Sequence, residues 1–137
     1  MPNKPQPAFP EPDTQAYWDA AKEGRLTYQQ CEDCDEVIFT PRAQCAACGS
    51  ANVATKDSAG AGSVYTYSVV RQNRHPAFAD LGAYAVAYVD LDEGFRMMTN
   101  IVGVDDPIKD IECGMRVKVR WEDQGEGNVS LPLFEPA

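Results

Sequence analysis

Two cysteine pairs decide the fold of this chain: CEDC at residues 31–34 and CAAC at residues 45–48. The two residues inside each pair bend the backbone into a knuckle, so that both thiolates face one point. Two facing knuckles place four sulfurs at the corners of a tetrahedron, the geometry of a closed structural zinc site. The ten residues between the pairs allow a short strand and a turn but no helix. The spacing therefore predicts a zinc ribbon with the ligands Cys31, Cys34, Cys45 and Cys48.

The same four cysteines allow other interpretations. They could form two disulfides in any of three pairings, one pair could act as a redox motif, or all four could bind iron in a rubredoxin-like site. The N-terminus shows no charged segment followed by an apolar core, so we expect a cytoplasmic, reducing compartment in which disulfides are rare. We therefore favour zinc. Because four sulfurs leave no coordination position open, we expect the metal to be structural.

Composition excludes several classes of function. The chain has 137 residues, enough for the ribbon and one compact domain, and no apolar run approaches the ~20 residues of a membrane span. Acidic residues outnumber basic ones by 21 to 12, which gives a net charge of −9. A broad surface for nucleic acid or for an anionic membrane is therefore not expected.

The first 57 residues divide into an arm, a helix and the ribbon. Residues 1–12 hold five of the ten prolines, a spacing that forbids a helix and predicts a flexible, extended arm. The pattern turns helical from Asp13 to Glu23, with Gly24 in the position of a C-terminal cap. We take residues 13–57 as one domain of helix and zinc ribbon. Tyr17 and Trp18 are candidate partner-docking residues, although both rings could instead pack on the chain's own ribbon.

The remainder, residues 58–137, shows a hydrophobic period of two, which predicts β-strands. Pro132 predicts that the last strand lies at an edge, because proline cannot donate to a ladder. Five short antiparallel strands, with a longer link between the third and the fourth, are typical of a Greek-key barrel of the OB type. The fold class is thus mainly β, a helix and a rubredoxin-like ribbon followed by a five-stranded OB-fold barrel. The predicted strands are Val64–Val70, Ala83–Asp92, Phe95–Gly103, Met115–Trp121 and Val129–Phe134.

Several segments match a known family across residues 13–136. They are the two knuckles together with Glu23–Leu26, Phe39–Arg42, Cys48–Ser50, Gly60–Tyr65, Leu91–Gly94, Cys113–Val117 and Leu131–Phe134. Through them the chain resembles the acyl-CoA-associated zinc-ribbon/OB-fold family, long catalogued as a domain of unknown function. Asp35, Thr40 and Ala46 depart from the family pattern without removing a metal ligand. Asp35 stands where glycine is frequent and where glycine eases the turn of the knuckle.

The resemblance implies an accessory subunit without chemistry of its own. Members form complexes with thiolase-like enzymes, including acyltransferases and the lipid-transfer-protein-like aldolases of steroid side-chain breakdown. In those aldolases the thiolase-fold partner carries out retro-aldol cleavage of an acyl-CoA, and the small subunit supports assembly and shapes the active-site entrance. We therefore expect a structural Zn²⁺, a CoA thioester as a shared ligand of the complex, and a heterotetramer with two copies of each chain. Whether the partner is an aldolase, an acyltransferase or a thiolase stays open.

The chain's own residues agree with a non-catalytic role. His75 is the only histidine, and no serine or cysteine has an evident histidine partner. Arg71, Arg74 and His75 form the densest basic cluster of an acidic chain. Because arginine binds phosphate oxygens bidentately, this cluster is a candidate contact for acyl-CoA or for an acidic strip on the partner. Solvated charges on a loop are the simpler explanation.

Two other classes of function compete with this interpretation. The first is a module that binds single-stranded nucleic acid, since OB barrels serve that purpose and tyrosines such as Tyr65 and Tyr88 could stack on bases. The excess of acidic residues opposes it. The second is a stand-alone acyl-CoA hydratase or thioesterase that uses His75 with a nearby acid such as Asp80. Turnover by the isolated chain would support that class.

Overall fold

A computed structural model describes residues 4–7 and 11–137 of the chain. Its architecture confirms the predicted fold class: one helix, a three-stranded sheet, and a closed barrel of five strands. Within the described residues no helix is long and apolar enough to cross a membrane. The elements are α1 (Pro12–Lys22), β1 (Thr27–Cys31), β2 (Val37–Ile38), β3 (Val53–Asp57), β4 (Ala61–Val70), β5 (Tyr84–Leu91), β6 (Arg96–Ile101), β7 (Arg116–Asp123) and β8 (Ser130–Pro136).

The helix α1 begins and ends where its local chemistry allows. Pro12 occupies the start, where a missing N–H costs no helical hydrogen bond. At the other end Gly24 takes a φ of +76°, and Arg25 N–H donates to Ala20 C=O at 2.9 Å, which closes a Schellman motif. The predicted helix, Asp13–Glu23, is therefore shifted by one residue. Pro12, assigned to the arm from sequence, belongs to the helix.

The predicted arm lies partly outside the described residues, which exclude 1–3 and 8–10. In the described part, Lys4 Nζ lies 2.7 Å from Glu122 Oε1 of the barrel. Val129 N–H donates to Gln6 Oε1 at 3.0 Å. Residues 4–7 thus contact the barrel, and the flexibility of the arm stays a prediction.

The ribbon is a small antiparallel sheet of order β2-β1-β3. Cys31 ends β1 opposite Val53 of β3, so the first knuckle leaves directly from a paired strand. The buried cluster of the ribbon consists of Cys31, Cys45 and Ile38, with Val53 packed against it. So small an interior supplies little hydrophobic stabilisation, and metal binding is the usual source of folding free energy in modules of this size.

The barrel has the strand order β4-β5-β6-β8-β7, and its neighbours are antiparallel except β6 and β8. Two predictions about it need correction. First, β4 begins at Ala61 rather than Val64, because the small residues that look like a linker pair with both β5 and β7. Gly62 in this stretch is required, since a Cβ there would collide with the carbonyl of Asp90. Second, Pro132 does not lie in an edge strand, since β8 closes the barrel.

Ribbon and barrel share one hydrophobic core built from aromatic rings. Phe95 of the barrel stacks on Tyr28 of β1 with ring centroids 5.1 Å apart, and Phe39 lies at the same distance from Phe95. Tyr17 of α1 meets Phe39 edge-on at 5.7 Å. These contacts hold α1, the ribbon and the barrel against one another.

Candidate functional site

The four cysteines converge at the tip of the ribbon. Within each pair, the first cysteine is buried and the second is exposed. Asp35 N–H donates to Cys31 C=O at 3.0 Å, and Gly49 N–H donates to Cys45 C=O at 2.8 Å, so both knuckles close in the same way. These equivalent turns direct the four sulfurs to one point.

The sulfur positions fit a tetrahedral metal. All four Sγ atoms lie within 4.8 Å of one another, with Cys31–Cys48 and Cys34–Cys45 both at 3.6 Å. Zn–S bonds of about 2.3 Å require sulfurs roughly 3.8 Å apart, whereas a disulfide requires about 2.05 Å. The cysteines of this zinc-ribbon domain are therefore positioned for metal binding and not for disulfides.

The pKa values of Cys45 and Cys34 are shifted in opposite directions. Hydrogen bonds from the Cys48 and Ala47 N–H groups lower the pKa of Cys45 to about 7, against a smaller effect of lost hydration. The Glu36 N–H lowers the pKa of Cys34, but bonds with neighbouring thiols and lost hydration together outweigh it and raise that pKa to about 12. Four thiolates so close together repel one another, and a bound divalent cation supplies the compensating charge.

Polar side chains on the outside of the ribbon tie the two knuckles together. The carboxylate of Asp33, inside the first knuckle, accepts hydrogen bonds from Ser50 Oγ and from Asn52 Nδ2, the latter at 3.2 Å. Ser50 C=O in turn accepts the N–H of Cys45 at 2.8 Å. This network was not predicted from the sequence. A serine two residues after the last cysteine was its only signal.

The predicted basic cluster lies in the loop between β4 and β5. Arg71 and Arg74 are exposed, and neither has a carboxylate partner within the described part of the chain. His75 Nδ1 accepts the N–H of Ala77 at 3.1 Å, and its ring lies 5.7 Å from Phe78. Where residues are described, no hydrogen bond joins His75 to Asp80 or to any serine or cysteine, so the geometry of a hydratase or thioesterase site is not assembled.

An apolar groove of about 440 Å³ opens between α1, the tip of β2, and strands β6 and β8. Tyr17 and Trp18 both line it. Tyr17 is only 6% exposed and packs in the chain's own core, where burial raises the pKa of its phenol. Trp18 is half-buried at the groove wall. The docking role of these two residues stays a prediction. Further groove residues are Phe39, Thr40, Phe78, Tyr84, Val86, Met97–Asn100 and Leu131–Leu133.

Beside the groove, the outer face of the barrel carries exposed apolar side chains. Met98 is 63% exposed and lies directly opposite Tyr88, which is 45% exposed. Tyr65 is 54% exposed, and the guanidinium of Arg96 lies 3.5 Å from its ring centroid. The exposure of Met98 was not predicted from the sequence. The sequence does give one indication, because Met98 is an apolar residue on the otherwise polar face of β6.

The fold and the cysteine cluster define a class of proteins in which a four-cysteine zinc ribbon precedes an OB-fold barrel. The sequence matches the family models described as "ChsH2, rubredoxin-like zinc ribbon domain" over residues 18–54 and "ChsH2, C-terminal OB-fold domain" over residues 55–122. A "DUF35 domain-containing scaffold protein" of Methanothermobacter thermautotrophicus is 32% identical over 108 residues, covering 76% of this chain and 79% of that protein. The chain belongs to the DUF35 family, which confirms the predicted resemblance.

Two further similarities bear on function. A chain of the solved "Ltp2-ChsH2(DUF35) aldolase" is 40% identical, with a TM-score of 0.84 and coverage of 96% of this chain and 98% of that one. A "Probable enoyl-CoA hydratase alpha subunit" of Thermomonospora curvata is 40% identical over 134 residues, which span 98% of this chain but only 40% of that protein. A DUF35 structure from Sulfolobus solfataricus, at 11% identity and a TM-score of 0.62, shares the fold.

Proposed function

We propose that this chain is a non-catalytic accessory subunit that binds and supports a thiolase-like acyl-CoA enzyme. The observation that carries the proposal is the likeness, at 40% identity, to nearly the whole of a chain in the Ltp2-ChsH2(DUF35) aldolase. The archaeal relative named a scaffold protein supports the same role. Within the described residues the sole histidine has no acid or nucleophile partner, as expected if another chain carries the chemistry.

The ribbon and the barrel would have different roles in this function. Cys31, Cys34, Cys45 and Cys48 would hold a structural Zn²⁺ that keeps the ribbon folded. The stacked rings of Tyr28 and Phe95 then fix the ribbon against the barrel. The barrel in turn presents the groove and the exposed pair Tyr88 and Met98. An exposed apolar surface of this kind is typical of a protein interface.

We infer a partner reaction from the same likeness. Retro-aldol cleavage of a steroid-type side-chain acyl-CoA is our first choice, because the similar chain belongs to an aldolase. An acyltransferase partner is the second. We propose a cytoplasmic complex with two copies of each chain, by analogy with the dimers usual for thiolase folds.

The test is reconstitution with the Ltp2 chain of the aldolase named above. We expect the two chains to co-elute and the pair to cleave a β-hydroxyacyl-CoA substrate of that enzyme, while this chain alone is inactive. Turnover by the isolated chain would contradict the non-catalytic role. A failure to bind Ltp2 would remove the aldolase partner.

The basic loop is a separate part of the proposal. Arg71 and Arg74 would contact either phosphate groups of the bound CoA or an acidic strip on the partner. Replacing both by alanine should weaken acyl-CoA binding by the assembled pair about tenfold or more, at 1.4 kcal/mol per tenfold change. Replacing Lys22, an exposed cation on α1, is the matched control and should leave the affinity unchanged. If the double variant binds acyl-CoA like the wild type, CoA does not contact this loop.

Binding of single-stranded nucleic acid is the second candidate function. The exposed rings of Tyr65 and Tyr88 on a face of the OB barrel favour it. Arg96 near Tyr65 is already paired with Asp90 at 2.6 Å, however, and the net charge is −9. We therefore expect no shift of a single-stranded oligonucleotide in a gel at low salt. A shift that weakens steeply with added salt would revive this function.

A further inference from the structure

We propose that the stretch of β6 around Met98, which precedes the pairing of β6 with β8, pairs with an extended segment of the partner enzyme and so adds a strand beside the apolar groove. This inference rests on the proposed function, because it needs that partner. It goes further by assigning the contact to main-chain hydrogen bonds at a defined strand edge. Strand addition to an exposed edge is a recurring mode of peptide recognition.

Over most of its length β6 is paired on one side only. Leu91 N–H donates to Phe95 C=O at 2.8 Å where the β5–β6 hairpin begins. Hydrogen-bonded and non-hydrogen-bonded pairs alternate along an antiparallel ladder. The main-chain N–H and C=O groups of the odd-numbered residues from Phe95 to Ile101 therefore point towards β5. Those of the even-numbered residues, Met98 among them, point away from β5. On that other side, the pairing recorded between β6 and β8 in the described residues is Ile101 opposite Phe134.

The sequence of β8 explains why the register between β6 and β8 does not extend from Ile101 and Phe134 back to Met98. Pro132 C=O accepts the hydroxyl of Thr99 at 2.7 Å, so Pro132 faces β6. Proline has no N–H to offer, and its carbonyl is already used by a side chain. Within the described residues the register between β6 and β8 includes no β8 residue opposite Met98, which lines the groove. Unpaired strand edges of this kind readily accept a further strand.

The surroundings of this edge define what would bind there. The groove walls are apolar, with Trp18, Val86 and Phe78 among the lining residues. An extended chain directs alternate side chains to one face. A bound segment can therefore hydrogen-bond to Met98 through its main chain while placing an apolar side chain in the groove.

Charge adds a second requirement. Phe78 at the groove belongs to the same loop as Arg71 and Arg74, which are exposed and have no carboxylate partner in the described residues. Elsewhere, arginines such as Arg25 and Arg116 are paired with acids. Cations in a loop that reaches the apolar groove through Phe78 complement an acidic segment. The occupant is therefore an extended segment with an apolar residue at the groove and acidic residues at the basic loop.

The experiment compares two variants of one residue in binding to purified Ltp2. Met98→Ala removes the side chain but keeps the N–H, whereas Met98→Pro also removes the N–H and restricts the backbone. We expect Met98→Pro to bind at least tenfold more weakly than Met98→Ala. Because Met98 directs its main chain away from β5, the proline variant should keep the β5–β6 ladder. Its zinc content and thermal midpoint check that it is folded.

A measurement on the wild type covers the case in which the proline variant does not fold. Amide exchange of the chain, residue by residue, should slow at least tenfold at Met98 when Ltp2 binds. Amides that are already paired with β5, such as those of Met97 and Thr99, serve as the internal reference. A complex that forms without protecting Met98, or equal affinities for the two variants, would overturn strand addition and leave the proposed function standing.

The remaining outcomes are also decisive. Arg71→Glu with Arg74→Glu should weaken Ltp2 binding more than tenfold, and an unchanged affinity would contradict the acidic segment. If the isolated chain forms a dimer that protects Met98, the occupant is a second copy and the inference is wrong. If the wild type does not bind Ltp2 at all, the proposed aldolase partner fails, and this inference fails with it.

Discussion

The ribbon has a buried cluster of three residues, two of which are candidate metal ligands, whereas the larger buried cluster fills the barrel and also includes Tyr17 and Leu26. The ribbon strands are short, at five, two and five residues, whereas the barrel strands have six to ten. The fold of the ribbon depends on four thiolates around one point, and the fold of the barrel depends on apolar side chains that fill its interior. The difference indicates that the two halves should respond to different perturbations, even though aromatic rings join them.

Removing a metal ligand should have the largest effect, and it should fall on the ribbon. Cys45→Ser deletes a buried sulfur of the cluster. Structural zinc supplies about 10–16 kcal/mol of apparent folding free energy in small zinc modules, so loss of the metal should unfold β1–β3. Native mass spectrometry should show loss of one zinc ion, and amide exchange should become fast in β1–β3.

Cys113→Ser is the matched control for that variant, because Cys113 is an exposed cysteine outside the cluster. It should keep its zinc and its slow exchange. If Cys45→Ser also kept the metal and the protected ribbon, the tetrathiolate site would be wrong.

A cavity in the barrel should have the next largest effect. Phe134 has no exposed surface and lies in the main cluster. Phe134→Ala should lower the free energy of unfolding by about 3–5 kcal/mol, the usual cost of such a truncation. The folded variant should still bind one zinc ion. Urea unfolding followed by tryptophan fluorescence measures the free energy of unfolding, and native mass spectrometry measures the bound zinc. If the variant lost its zinc without denaturant, the fold of the ribbon would depend on the barrel.

The comparison also shows what sequence alone can predict. Ligand spacing is local, so the CEDC and CAAC motifs were enough to predict the tetrahedral cluster. The barrel strands followed from their period of two. The groove was not predicted, because it depends on Pro132 meeting Thr99, 33 positions earlier in the chain. Likewise, the predicted first strand begins only at Val64, because the pairing of Ala61 with β7 is a long-range contact that the local pattern does not reveal.

The two knuckles allow a smaller test within the ribbon. Asp35 and Gly49 occupy equivalent positions, with φ of +62° and +77°. A residue with a Cβ costs about 1 kcal/mol or more in this conformation, whereas glycine costs little. Asp35→Gly should therefore stabilise the ribbon by roughly 1 kcal/mol, and Gly49→Asp should destabilise it by a similar amount. Competition with a zinc chelator measures both.

A control separates backbone strain from charge in that test. Asp35→Asn removes the negative charge near the thiolates but keeps a side chain that tolerates a positive φ. It should change zinc affinity less than Asp35→Gly. If the asparagine and glycine variants gain equally, charge and not conformation accounts for the effect.

The smallest expected effect distinguishes the halves by their response to acid. Arg116 lies 2.7 Å from the carboxylate of Asp92 on the barrel, and its hydrogen bonds lower the pKa of that group. A carboxyl whose pKa is lowered by folding stabilises the protein above its unfolded pKa of about 3.9 and loses that contribution as the pH falls further. Because both side chains are half exposed, the contribution should be small and weakened by salt.

The ribbon should respond to acid earlier, since protons compete with the metal for thiolates. On lowering the pH we therefore expect zinc release first and a small loss of barrel stability only below about pH 4. Asp92→Asn abolishes the carboxyl titration. It should therefore reduce the loss of barrel stability at low pH and leave the pH of zinc release unchanged. Urea unfolding at a series of pH values, with zinc release followed by a chromogenic chelator, measures both steps. If Asp92→Asn also shifted the release of zinc, acid would act on the two halves together, and the distinction between a metal-held ribbon and a self-supporting barrel would fail.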